Sequence, residues 1–224
     1  MVPIKRVEPS AGSGGRREES GMGQRYYQNA CKPKGLSGRR FLKAMNRHHA
    51  ELADWGLTYV ELAPDAEGLD AGCGGGGGVA RLLELCPKGN ICGLDYSDAS
   101  VRFSRRRNAA AIEAGRCEIV QADIRAIPWK DDHFDFVTAF ESIYYWPGPA
   151  ASFREVYRVL RPGGWFLICN EDTDPENDPW VDIIDGMTIY PAETLQSLLR
   201  EAGFRKVQCY PNPTRGWLSV VAYK

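Results

Sequence analysis

Gly68-Leu69-Asp70-Ala71-Gly72-Cys73-Gly74-Gly75-Gly76-Gly77-Gly78 is the stretch on which the fold of this 224-residue chain turns. Its first four residues read as a short strand. The glycines that follow allow a sharp turn and a close approach to the backbone, because they lack Cβ. Val79–Cys86 then reads as a helix, so the segment is a strand, a glycine turn and a helix in succession. The same alternation continues outward. Asn90–Asp95 reads as a second strand, and a helix runs from Ser97-Asp98 to near Gly115. Cys117–Gln121 and Phe134–Phe140 read as the third and fourth strands. A helix over Pro149–Leu160 is stopped by Pro162-Gly163-Gly164, and Trp165–Asn170 is the fifth strand. Strands alternating with helices predict an α/β fold with a parallel sheet covered on both faces. A helix over Ala192–Ala202, with Gly203 as its stop, precedes strands at Lys206–Tyr210 and Trp217–Tyr223. The loop between these two opens at Pro211-Asn212-Pro213, and the pair is expected to add to the sheet in antiparallel fashion.

Upstream, residues 2–24 are mostly Gly, Ser, Pro, Arg and Glu. They cannot bury enough apolar surface to offset chain entropy, so a disordered extension over 1–24 is expected, followed by one domain over 25–224. A helix at about 37–55 would open that domain, capped by Ser37, with Phe41, Leu42, Met45, His49, Leu52 and Ala53 on one face.

The composition narrows the function. Hydrophobic residues make up 43%, enough for a sizeable core. With 28 basic and 29 acidic residues the net charge is −1, which argues against a nucleic-acid partner. Arg105-Arg106-Arg107 reads as a solvated helix face. No apolar run approaches the ~20 residues of a membrane span, and the N-terminal residues lack the apolar segment of a secretory signal. The 7 cysteines form no CxxC pair. They read as reduced, buried thiols of a cytoplasmic protein, and no His or Cys cluster has metal-ligand spacing.

Two ligands could use the glycine turn. Gly72-x-Gly74-x-x-Gly77 with Asp95 about twenty residues later matches the dinucleotide fingerprint. A run of five glycines makes that match nearly automatic. Asp70 separates the readings, since a buried carboxylate at the end of the first strand repels a pyrophosphate but holds a cationic ligand end. Three further features follow: Gln121-Ala122-Asp123-Ile124 closing the third strand, Phe134-Asp135-Phe136-Val137 leading to Phe140-Glu141-Ser142, and Leu160-Arg161-Pro162-Gly163-Gly164.

In this ordered set, with Gly93-Leu94-Asp95-Tyr96-Ser97 between the first and second features, the chain resembles the class I S-adenosylmethionine-dependent methyltransferases, in particular their small-molecule branch. The resemblance is strongest over 66–170. It implies a Rossmann-like doubly wound sheet of seven strands, mostly parallel with an antiparallel C-terminal strand pair, and S-adenosylmethionine as cofactor. It implies methyl transfer to a small-molecule acceptor. Under it, Asp70 helps hold the cofactor's cationic end, Gly72 and Gly74 run against it, and Asp95 accepts from the ribose hydroxyls. Asp123 and Ile124 meet the adenine, Tyr96 lies against the adenosine or at its rim, and Glu141 orients the amino-acid end or receives a proton. A nicotinamide-dependent oxidoreductase and a non-catalytic cofactor-binding subunit remain the alternatives.

The acceptor is not legible, nor is the oligomeric state. His48, His49 and Glu141 are candidates for a base by position only, with His49 read first as an ordinary helix residue. Tyr144-Tyr145-Trp146 either wall the acceptor pocket or fill core. Asn170-Glu171-Asp172 with Asp174, Glu176 and Asp178 read as a solvated acidic loop; facing the pocket, they would favour an amine acceptor.

Overall fold

The computed structural model describes residues 49–171, 173–175 and 180–224. The expected extension over 1–24 and the start of the helix at 37–55 lie outside these. Within the described part of that span a helix, α1 (Ala50–Leu57), starts after His49 and runs two residues past the expected Trp55.

Alternation along the chain then follows the sequence closely. The elements are β1 (Glu67–Ala71), α2 (Gly77–Leu85), β2 (Asn90–Asp95), α3 (Asp98–Arg107), α4 (Ala109–Glu113) and β3 (Cys117–Gln121). They continue as β4 (Phe134–Phe140), a 3₁₀ turn over Ile143–Tyr145, α5 (Pro149–Val159) and β5 (Leu160–Asn170). The chain closes with α6 (Trp180–Ile183), α7 (Ala192–Glu201), β6 (Lys206–Asn212) and β7 (Trp217–Tyr223). The sheet has seven strands in the order β3-β2-β1-β4-β5-β7-β6. Pairings from β3 to β5 are parallel, and β7 runs antiparallel to both β5 and β6.

Both faces are covered. Phe153, Val156 and Val159 of α5 and Leu195 and Leu199 of α7 pack on Val137, Ala139, Phe166 and Ile168. On the other face Val79 and Leu82 of α2 and Val101 of α3 meet Ile91 and Ile119. Leu52 of α1 meets Leu167, Cys169 and Val221. This last contact is unusually close: a Cβ on Gly56 would lie 2.0 Å from Cys169 Sγ. Burial of this kind, at roughly 25 cal/mol per Å² of apolar surface, is what holds the three layers together.

Three boundaries differ from the sequence expectation, each for a tertiary reason. The single helix expected to end near Gly115 is two, because Asn108 leaves helical geometry (φ −102°, ψ 19°). Its Nδ2 donates to Ser104 O and Gly76 O, tying the break to the glycine turn. Extended pairing begins at Leu160, opposite Phe134, so Pro162-Gly163-Gly164 is an irregular stretch inside β5 rather than a turn before it. Pro211 and Asn212 lie within β6, not in a loop. As β6 is an edge strand, the missing proline N–H costs no ladder bond. The short α6 and the 3₁₀ turn carry no periodic signal long enough to read.

Two motif residues of the sequence analysis prove to be braces. Arg161 Nη1 donates to Asp135 Oδ1 at 2.6 Å, and Asp135 Oδ2 accepts from Glu67 N at 2.8 Å. Together they pin the starts of β1 and β4 to β5.

Candidate active site

The carboxyl ends of β1 and β4, where the strand order reverses, open into a cavity of about 560 Å³. A reversal of this kind leaves a crevice between neighbouring crossovers. Asp70, Gly72, Gly74, Asp95, Tyr96, Asp123, Ile124 and Glu141 all line it, so the structure brings every site residue expected from the sequence to one place.

The glycine turn is held by backbone and carboxylate together. Gly72 and Cys73 N both donate to Leu94 O, at 2.7 and 2.9 Å. Gly74 N donates to Asp95 Oδ2 at 2.9 Å, and Ser97 N to Asp95 Oδ1 at 2.8 Å. Gly72 sits at φ +77° and Gly74 at φ +49°, left-handed values that side chains resist. Ser97, not Asp95, caps α3, accepting from Ser100 N.

Asp70 is buried. It accepts from Thr138 Oγ1 at 3.1 Å and from the Val79 N–H. Burial, reinforced by the nearby Asp95 charge, pushes its carboxyl up from an ordinary 3.8 to about 7. Burial also raises Asp95. Neither carboxylate pairs with a cation among the described residues. Cys73 between the glycines is buried, and burial pushes its thiol well up, which suits a filler and not a nucleophile.

At the far side of the turn, Ile124 is buried in the main core while Tyr96 is 44% exposed, a rim position. Asp123 is committed to Arg125, whose Nη2 reaches Oδ2 at 2.6 Å and whose N reaches Oδ1 at 2.8 Å. The guanidinium holds the carboxyl below its ordinary value. Any ligand meeting Asp123 therefore competes with or adds to that pair.

Glu141 stands at φ +54°, a conformation that costs a non-glycine residue about 1–2 kcal/mol. It is fixed there: Oε1 accepts from Tyr144 OH at 3.1 Å and from Glu171 N, and its own N donates to Cys169 O at 2.9 Å. Oε2 lies 3.9 Å from His49 Nε2. His49 is thus more than a helix residue on an apolar face: it lines the cavity at the start of α1. His49, Glu141 and Glu171 bring ligand-type atoms within 4.8 Å of one another. Sequence spacing gives no sign of this, because the three come from separate segments.

Other readings sort themselves. Tyr144 is buried with Ile184, Met187 and Ile189, Tyr145 lines the cavity, and Trp146 does both, buried in the main core against Phe166 with an edge on the cavity. Arg105 donates twice to Ile119 O, and Arg107 reaches the cavity wall, so the arginine run is not merely a solvated face.

Residues 69–168 match the profile of the methyltransferase-domain family. The chain is 40% identical to a fatty-acid O-methyltransferase of Mycolicibacterium smegmatis over 46% of its own length and 37% of that protein's. It is 28% identical to 24-methylenesterol C-methyltransferase 2 of Arabidopsis thaliana, over 75% of its length and 45% of the relative's. A SAM-dependent methyltransferase from Aquifex aeolicus shares the fold with a TM-score of 0.69 at 19% identity, over 82% of this chain and 96% of that one. The chain carries a class I S-adenosylmethionine-dependent methyltransferase domain. It spans 37–59% of the length of the curated relatives it matches.

Among the described residues of the methyltransferase domain, one side chain lacks a local explanation. Asn170, at the end of β5, is fully buried with neither Oδ1 nor Nδ2 hydrogen-bonded. An orphaned buried polar group costs roughly 1–3 kcal/mol. Asn170→Leu, which keeps the branched shape, is expected to raise stability by about that amount in urea denaturation. An unchanged or lower midpoint would show that the amide has a partner in solution.

No helix among the described residues is long and apolar enough to cross a membrane. Five described cysteines are buried and free.

Proposed function

We propose that this methyltransferase domain binds S-adenosylmethionine in the cavity at the carboxyl ends of β1 and β4 and transfers its methyl group to a small molecule with an apolar body. The observation that carries the reading is the buried carboxyl of Asp70 at the end of β1, with no described cation against it; Asp95 would serve the ribose of either cofactor. A site built this way repels a pyrophosphate and favours a ligand with a cationic end. In this reading Asp70 faces that cationic end and Gly72 and Gly74 offer backbone without Cβ. Asp95 accepts from the ribose hydroxyls, Ile124 and Asp123 meet the adenine, and Tyr96 closes the rim. When bound, the cofactor supplies a methyl carbon already activated by a sulfonium leaving group. What remains for the protein is to orient the acceptor, which is worth roughly 7–11 kcal/mol. Tyr145, Trp146 and Pro147 give the cavity an apolar wall. Relatives named for sterol and fatty-acid methylation support an apolar acceptor. The buried, unpaired thiols support a cytoplasmic setting.

Calorimetric titration with S-adenosylmethionine and with a nicotinamide dinucleotide tests the reading. Binding of the first and not the second is expected, and the reverse overturns it. Asp95→Ala is expected to weaken cofactor binding about 10–100-fold, the equivalent of about one charged hydrogen bond. Unchanged affinity would remove Asp95 from the ribose role.

A further inference from the structure

We propose that His49, backed by Glu141, is the base that takes a proton from the acceptor, and that the acceptor is accordingly an O–H or N–H group. The inference rests on the methyl-transfer reading above and adds which residues act and what acceptor chemistry they suit.

Both side chains line the cavity yet are largely withdrawn from solvent, 19% exposed for His49 and 9% for Glu141. Their separation of 3.9 Å is an ion-pair distance. An opposite charge this close favours the protonated imidazole, so it strengthens His49 as a proton acceptor. The carboxylate is placed with care. Two donors, Tyr144 OH and Glu171 N, hold Oε1, which leaves Oε2 as the oxygen turned to the imidazole. The backbone at Glu141 is left-handed, and sites of stored backbone strain cluster where function requires them. The small residues Ala50 and Ala53 on the cavity side of α1 leave room beside the ring.

Other charged groups stand near His49 among the described residues. Glu171 follows β5 and lies within the same cluster. Asp185 lines the cavity wall after α6. On α1 itself, Glu51 pairs with Arg215 and Asp54 with Arg81. The four carboxylates favour a positive imidazole, and the two arginines are each held against one of them.

In the reaction the acceptor's X–H bond breaks and its proton goes to a ring nitrogen of His49. The electron pair left on X forms the bond to the methyl carbon, and the pair of the breaking carbon–sulfur bond stays on sulfur. The imidazolium then returns its proton to solvent.

Two measurements on the full chain test this. Imidazole NMR titration, with a chelator present, follows His49 in the wild type and in Glu141→Gln, with His48 and His133 as internal references. A drop of about one unit in the His49 pKa on losing the carboxylate is expected; an unshifted titration overturns the pairing. Separately, cell extract is incubated with cofactor carrying a ¹³C methyl group, and labelled products are located by mass spectrometry. Label on oxygen or nitrogen is expected, with His49→Gln lowering turnover about 10²–10⁴-fold while calorimetric cofactor affinity holds. Label on carbon, or an undiminished His49→Gln rate, overturns the proposal. Failure of the wild type to bind S-adenosylmethionine at all would instead sink the methyl-transfer reading, leaving the NMR result to decide the pairing.

Discussion

Asp70→Asn is expected to stabilise the unliganded protein by up to roughly 4 kcal/mol at pH 8 and to cripple its hold on the cofactor. The folded carboxyl titrates near 7 against an ordinary 3.8. Between those values the unfolded chain has released the proton while the folded chain keeps it. The folded state then binds more protons, so stability falls as pH rises from about 4 to about 7 and stays low above that. Asparagine carries no charge to desolvate and its oxygen keeps the Thr138 contact, while having one acceptor oxygen in place of two weakens the hold on the Val79 N–H and offsets part of the gain. Urea midpoints at pH 5 and pH 8 check this: the wild type should drop between them and the variant should not. Parallel curves would show that Asp70 is solvated in solution. Cofactor affinity has the opposite slope, because the ionised carboxylate is the form that attracts a cation. Wild-type binding should strengthen up to about tenfold per pH unit below 7, and Asp70→Asn should lose that dependence.

Gly72→Ala should cost about 2–5 kcal/mol, read as a lowered urea midpoint. Two terms add. The residue stands at φ +77°, and an added Cβ would lie 2.5 Å from Ser142 Cβ. Ser142 has little freedom to withdraw, since its Oγ donates to Ala71 O at 2.8 Å and so ties the end of β1 to the segment after β4. A second change separates the terms. Measured against Ser142→Gly alone, which bears the loss of the bond to Ala71 O, Gly72→Ala should cost only the backbone part. An undiminished cost would mean the clash is relieved by another route. Gly74→Ala is the contrast: its Cβ would meet nothing within 4 Å, so only the backbone term remains.

The core of the fold was legible because glycine and charge mark it so strongly. Asn90–Asp95, Cys117–Gln121, Phe134–Phe140 and Trp217–Tyr223 match the expected strands end to end. Asp70 and Asp95 could be placed because a strand end feeding a glycine turn has one geometry. The failures are long-range. Nothing local announces that Asn108 will bond to Gly76 O and break a helix, or that Pro211 will sit on an edge. Arg161 and Asp135 look like separate motif fragments until the sheet registers them as one ion pair. His49 and Glu141 meet only because α1 packs across the end of β5, which brings two distant segments together. A periodicity argument sees His49 on an apolar face and stops there.

The fit of Gly56 against Cys169 gives this domain a built-in reporter. With no side chain between helix and sulfur, a thiol reagent reaches Cys169 only when α1 lifts away from β5. The labelling rate of that one cysteine, followed by peptide mapping, therefore times the opening of the wall that carries His49.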